Sequence, residues 1–259
     1  MIPKIIHYCW FGGNPLPEKD TKFIDTWKKF CPDYEIKCWN ESNYDVTKNK
    51  YMYEAYKAKK WGFVPDYARL DIIYNHGGIY LDTDVEIIKN FDELLANKAF
   101  MGFESQKFVN LGNGFGAEKN NETIKKIMDT YDNLKFIKDD GTYNITPSPI
   151  LNSKELENMG FIMNNELQET NSTKLYPQEY FCPKDYDIEK IILTENTFSI
   201  HHWNSSWYTL EQEKRHKKAV FFRNKFGRKF GEYIYLATEI PVKIKQYGLG
   251  GLIKRVFKR

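Results

Sequence analysis

The chain has 259 residues, a formal net charge of +3, 41% hydrophobic and 16% aromatic residues. That length is enough to bury a sizeable core, as one domain with a small appendage. No run approaches the roughly 18 uninterrupted apolar residues of a membrane span. Met1-Ile2-Pro3-Lys4-Ile5-Ile6-His7 lacks the basic region and apolar run of a signal peptide. Cys9, Cys31, Cys38 and Cys182 show no Cys-x-x-Cys spacing, which favours reduced thiols in a cytoplasmic protein over disulfides or zinc.

Lys4 to Trp10 reads as a first strand, followed at once by Phe11-Gly12-Gly13-Asn14. Open α/β sheets bind ligands at the carboxyl ends of their strands, so this loop is well placed for a nucleotide. Pro17 to Cys31 reads as a helix burying Phe23, Trp27 and Phe30, stopped by Pro32. Tyr34 to Trp39 is a second strand, and Lys48 to Lys60 a further helix. This alternation predicts an α/β protein with a nucleotide-binding half-sheet. His7 is expected to be a satisfied core histidine.

The informative stretch is Phe63 to Glu86. Pro65 suits a first helical turn, Leu70, Ile73 and Tyr74 form an apolar stripe, and Asp66 and Arg69 share another face. Gly77 and Gly78 make the turn, and a strand from Ile79 to Val85 is expected to follow. On such a strand Tyr80, Asp82 and Asp84 share one side and Ile79, Leu81, Thr83 and Val85 the other. Two carboxylates on one side repel unless a proton, a basic group or a divalent cation lies between them. Oxygen ligands favour Mg²⁺, Mn²⁺ or Ca²⁺ over zinc. An EF-hand loop is excluded because Ile87 stands where that loop needs glycine.

Further along, Phe91 to Ala96 is a short helix and Ala99 to Phe103 a strand. Asn110-Leu111-Gly112-Asn113-Gly114-Phe115-Gly116-Ala117 is glycine-rich without the spacing of a phosphate loop. Asn121 caps a helix that turns Ile124, Ile127, Met128, Tyr131 and Leu134 inward. Ser199-Ile200-His201-His202-Trp203-Asn204-Ser205-Ser206-Trp207 follows a strand, and its adjacent histidines point to opposite faces. From Glu211 to Arg259 there are 14 Lys/Arg against 4 Asp/Glu, a net of +10, interleaved with Phe, Tyr, Ile and Leu. Such a tail suits the interface of an anionic membrane. A solvated helical hairpin is the alternative, and no nucleic-acid motif accompanies the charge.

Asp66-x-x-Arg69 followed by Gly77-Gly78-Ile79-Tyr80-Leu81-Asp82-Thr83-Asp84 resembles the sugar-nucleotide signature of glycosyltransferase family 32. That family includes bacterial capsule and exopolysaccharide transferases and the fungal initiating mannosyltransferase, and it is similar to the catalytic domains of the clostridial glucosylating toxins. The opening segment Ile5 to Gly13 is similar to the family's first motif, and Thr146-Pro147-Ser148-Pro149 to its loop near the acceptor, without the usual glycine.

The resemblance implies a GT-A-like fold, a mixed Rossmann-like sheet flanked by helices, over residues 1–210, with residues 211–259 as a basic helical segment. It implies a retaining transferase that moves a hexose from a nucleotide sugar to a glycan or lipid-linked saccharide. UDP-glucose or UDP-galactose is the favoured donor and GDP-mannose the other. By the same resemblance Trp10 stacks on the base, and Asn113 lies under the transferred sugar. Ser205 and Trp207 clamp the diphosphate, and His202 takes the metal position, with His201 as the alternative. Asp82 and Asp84 would hold Mn²⁺ or Mg²⁺ and Arg69 would bind phosphate or sugar. Asp66 would accept donor-sugar hydroxyls, and Tyr80 would orient the diphosphate. The expected location is cytoplasmic, at the inner face of the cell membrane. The rivals are a hydrolase or nucleotidyltransferase, which would need a second acid cluster, and a non-catalytic scaffold of the same fold.

Overall fold

The computed structural model describes residues 1–203 and 210–241. The chain divides into two compact units: Met1–Lys184 with Ile192–Trp207, and Asp185–Ile191 with Tyr208–Arg259.

The first unit is built on a seven-stranded mixed sheet. Its strands are β1 (Ile5–Cys9), β2 (Glu35–Trp39), β3 (Gly78–Tyr80), β5 (Ala99–Gly102), β6 (Phe115–Ala117), β7 (Gln168–Thr170) and β8 (Thr173–Tyr176), while β4 (Val85–Ile87) lies outside it. They run in the order β2-β1-β3-β6-β5-β8-β7. β1 pairs in parallel with β2 and β3, whereas β6 is antiparallel to both β3 and β5. The parallel half is where α/β crossovers place loops at the carboxyl ends of strands. Around it pack α1 (Glu18–Phe30), α2 (Lys50–Lys57), α3 (Pro65–His76), α4 (Glu122–Asp129) and α5 (Ser148–Asn158).

The helices form for legible reasons. α1 carries Glu18 and Asp20 in its first turn and Lys28 and Lys29 in its last, complementing the macrodipole, and buries Phe23, Ile24 and Trp27. Asn121 accepts from the Thr123 and Ile124 amides at the start of α4. α3 starts on Pro65 and closes on Gly77 at φ 67°.

α3 departs from the expected stripe, because Asp66 through Ile73 are all buried. It lies inside the unit, so its charged residues need partners. Asp71 accepts from the Tyr44 hydroxyl and from Lys48, both at 2.8 Å, and Asp66 pairs with Arg69.

His7 is a satisfied core residue of β1. Trp39 Nε1 donates to its Nδ1 at 3.0 Å, and its Nε2 lies 2.9 Å from the Gly77 carbonyl. With Nδ1 accepting, Nε2 carries the proton and donates to Gly77, so the ring is held neutral. Burial lowers its pKa to about 4. The bond pins the Gly77 turn against β1. Gly78, at φ 103°, approaches so closely that a Cβ would meet the Ile5 carbonyl oxygen at 2.7 Å.

The strand expected from Ile79 to Val85 is broken. β3 ends at Tyr80, and β4 pairs antiparallel with Ser199–His201, outside the main sheet. Between them the Val85 amide donates to the Asp82 carbonyl at 3.1 Å, closing a turn over the acids. The Thr83 hydroxyl reaches Asp20 at 3.0 Å and Trp27 Nε1 donates to the Val85 carbonyl at 2.7 Å, tying the turn to α1.

In the second unit, α6 (Leu210–Phe226) is followed, after Gly227 at φ 82°, by a helix over 228–241. The Phe222 carbonyl oxygen comes within 2.3 Å of where a Cβ on Gly231 would lie. Glu239 is buried between Arg215 and Lys218. Phe230, Tyr233, Leu236 and Ile240 form an exposed stripe on the second helix, and Phe221 and Phe226 are exposed on α6. Among the described residues no helix is long and apolar enough to cross a membrane.

Candidate active site

The site begins with a buried charge cluster on α3 and β3. Arg69 Nη2 lies 3.0 Å from Asp66 Oδ1 and 3.6 Å from Asp82 Oδ1, while Arg69 Nε donates to the Pro65 carbonyl at 3.1 Å. Its guanidinium carbon sits 5.2 Å from the centroid of the Tyr80 ring, and the Tyr80 hydroxyl donates to Asp82 Oδ1 at 3.2 Å. Asp82 is therefore held by a cation and a phenol together. Burial disfavours the charged form of Arg69, yet Asp82, Tyr80 and Asp66 hold its pKa above the ordinary guanidinium value. Burial raises the Asp66 carboxyl to about 6, with Arg69 opposing. Tyr80 is 1% exposed, so the structure places it beneath Asp82 rather than on an open face.

Asp82, Asp84 and His201 each offer a ligand atom, and these atoms lie within 4.8 Å of one another. Asp82 and Asp84 keep 28% and 14% of their side-chain surface exposed. His201 Nε2 is 3.2 Å from Asp84 Oδ1. Burial penalises the imidazolium, but Asp84 holds its pKa well above the ordinary value. Two carboxylates and one imidazole suit a hard or borderline divalent cation such as Mg²⁺ or Mn²⁺, so the donor set fits the metal its sequence implies.

The expectation for His202 is corrected. Register decides which histidine faces the acids: His201 pairs with Val85 across the two short strands, and the His202 amide donates to the Asp84 carbonyl at 3.0 Å. Alternation then turns His202 to the other side, where its ring stacks on Phe23 at 4.5 Å and its Nε2 lies 2.8 Å from Glu86 Oε2.

Trp10, half-buried at the end of β1, donates from Nε1 to the Asn14 carbonyl at 2.6 Å. Its loop is braced from below: a Cβ on Gly12 would meet the Trp61 ring at 2.8 Å, and the Gly12 amide donates to Glu41 at 2.6 Å. Trp61 and Glu41 escaped the sequence reading, because a loop glycine does not reveal what covers it.

Asn113 is 0% exposed, and its Nδ2 lies 3.3 Å from the Phe103 carbonyl. The expected sugar contact is thus a buried residue. Gly112, its neighbour, is the close approach: the Asp82 amide donates to the Gly112 carbonyl at 2.9 Å, and a Cβ there would fall 2.0 Å from Asp82 Oδ2. The glycine-rich run was the signal, one residue away. Ser205 and Trp207, expected on the diphosphate, lie outside the described residues.

An α/β unit that carries an Asp-x-Asp turn, a buried Asp–Arg pair and a fitting donor set at its strand ends suits the binding of a sugar nucleotide. Residues 17–101 match the family described as glycosyltransferase sugar-binding region containing DXD motif. The chain is 28% identical over 240 residues to the uncharacterized glycosyltransferase L373 of Acanthamoeba polyphaga mimivirus, covering 87% of this chain and 90% of that one. It is 33% identical over 104 residues to inositol phosphoceramide mannosyltransferase 3 of Schizosaccharomyces pombe, covering 39% of this chain and 29% of the yeast protein. Among solved structures, PaToxG glycosyltransferase aligns with a TM-score of 0.48 and 22% identity over 61% of this chain and 69% of its own. Over residues 17–101 the chain carries a glycosyltransferase DXD sugar-binding region, and its resemblance to glycosyltransferase family 32 is borne out there.

Proposed function

We propose that the protein transfers a hexose, with retention of configuration, from a nucleotide sugar to a glycan or lipid-linked saccharide in surface polysaccharide biosynthesis. The observation that carries this reading is the convergence of Asp82, Asp84 and His201 next to the Asp66–Arg69 pair. The first three would hold Mn²⁺ or Mg²⁺, which when bound supplies Lewis-acid stabilisation of the leaving diphosphate. Arg69 keeps its charge and neutralises the same region through N–H donors. Asp66 accepts hydroxyls of the donor sugar and fixes its pose. Tyr80 and Gly112 hold Asp82 in place, and Trp10 offers its ring to the base. Ser205 and Trp207 complete the diphosphate clamp in this proposal.

UDP-glucose or UDP-galactose is the first donor class. GDP-mannose is the second reading, favoured by the name of the yeast relative, a mannosyltransferase acting on inositol phosphoceramide. That acceptor is a lipid, which supports a lipid-linked substrate here. The location consistent with it is cytoplasmic and peripheral at the inner face of the membrane. The exposed stripe Phe230, Tyr233, Leu236 and Ile240, in a segment rich in lysine and arginine, supports this placement.

The test is thermal unfolding with each of UDP-glucose, UDP-galactose, UDP-N-acetylglucosamine and GDP-mannose, with and without Mn²⁺, on wild type and Asp84→Ala. At a hundredfold excess over Kd, binding stabilises by about 2.7 kcal/mol. A Mn²⁺-dependent shift with one nucleotide class, lost in Asp84→Ala, is expected. No shift with any donor in a folded protein would overturn the transferase reading in favour of the scaffold.

A further inference from the structure

Behind the histidine of the donor set lies a buried polar chain that the roles assigned above leave unused. Among the described residues His201 Nδ1 and Asn113 Oδ1 are both buried with no hydrogen-bond partner. The Cys182 thiol, itself 0% exposed, abuts both side chains. A thiol offers one weak donor and one weak acceptor, so it can serve one orphaned atom with each. Glu104, a half-buried carboxylate nearby, is engaged at 2.9 Å by Asn110 Nδ2.

The direction of the chain follows from its far end. Asn113 Nδ2 lies 3.3 Å from the Phe103 carbonyl oxygen, which only accepts. The amide nitrogen therefore belongs on that side, and Oδ1 faces the thiol as an acceptor. Cys182 S–H must donate to Asn113, which leaves its sulfur lone pairs to accept from His201 Nδ1–H. The other imidazole nitrogen, Nε2, lies 3.2 Å from Asp84 Oδ1, on the side of the acid pair.

We propose that Cys182 and Asn113 are positioning residues for the metal site: a relay from His201 Nδ1–H to Cys182 Sγ, and from Cys182 S–H to Asn113 Oδ1, fixes the ring so that Nε2 is presented beside Asp82 and Asp84. The proposal rests on the divalent-cation reading of that site. Ligating histidines commonly have their second nitrogen fixed in this way, and loss of the fixing partner typically weakens metal binding about 10–100-fold. It also gives the fully buried Asn113 a role.

The test is a Mn²⁺ titration followed by the electron paramagnetic resonance signal of the free ion. It uses wild type, Asp84→Ala, Cys182→Ser, Cys182→Val and Cys182→Ala, with the thermal unfolding of each variant measured in chelator. Serine keeps a donor and an acceptor, so Cys182→Ser is expected to bind within about threefold of wild type. Valine fills the space but offers neither, so Cys182→Val is expected to bind about tenfold or more weakly while being at least as stable as the serine variant. Cys182→Ala should show the same loss and serves if the valine variant does not fold. A thiol that only fills space would give the opposite order, with valine near wild type and serine the worse. Wild-type affinity in the valine or alanine variant, with binding lost in Asp84→Ala, would overturn the relay and leave the metal site standing. Equal Mn²⁺ binding by wild type and Asp84→Ala would overturn the metal reading, and the relay with it.

Discussion

The two sides of the site are positioned by different means. Asp66, Arg69, Tyr80 and Asp82 come from one helix, one glycine turn and one short strand, and they hold each other through contacts of 3.0 to 3.6 Å. His201 arrives from the far end of the unit on a short strand that, among the described residues, pairs only with β4, and Gly112 from the loop before β6. The first side is pre-assembled by local geometry. The second depends on a register of three residue pairs, Ser199 with Ile87, Ile200 with Glu86 and His201 with Val85. A slip of one residue there would exchange the two histidines. The local side therefore sets where charge accumulates, and the distant side decides which histidine faces the acid pair.

The largest effect expected is on the shared ligands. Asp84→Ala should lower kcat by about 10²–10³, the usual consequence of removing a preorganised electrostatic contact to the leaving group. It should leave the fold intact by circular dichroism, because Asp84 keeps part of its surface in solvent.

The next effect is on stability and is read through pH. His7 is held neutral beside the Gly77 turn, with a folded pKa of about 4 against an ordinary value near 6.5. Its contribution is present above pH 6.5 and is lost as pH falls toward 4, where folding would have to strip the proton that the unfolded chain binds. The loss should reach about 3 kcal/mol by the lower pH. His7→Gln should flatten that part of the stability profile, read by urea denaturation from pH 7 to 4.

Gly112→Ala comes third. Its Cβ would collide with Asp82, and displacing a reacting group by about 1 Å typically costs about 10² in rate. Metal affinity should fall in parallel, measured by calorimetry. The smallest effect belongs to His202→Gln. It should cost about 1 kcal/mol of stability through the lost Phe23 stacking, with Mn²⁺ affinity unchanged.

The local side was legible in the sequence because its signals are short-range: proline starting a helix, glycine ending it, and Asp66 and Arg69 three residues apart. Where the reading failed, the deciding contact was long-range. The strand through the acids broke because the Asp82 carbonyl closes a turn and β4 leaves to pair with Ser199–His201. The choice between His201 and His202 followed from that pairing, which alternation alone leaves undetermined. Asn113 was placed under the sugar by resemblance, but Gly112 makes the close approach while Asn113 turns inward to Phe103. α3 looked amphipathic because its buried polar face carries charges that find partners on Tyr44 and Lys48.

The central claim, that Asp82, Asp84 and His201 form one cation site, is tested most directly by Mn²⁺ binding to His201→Ala and His202→Ala in parallel with wild type. The account predicts that His201→Ala weakens binding about tenfold or more while His202→Ala binds as wild type does. Equal affinity in all three proteins, or loss confined to His202→Ala, would contradict it.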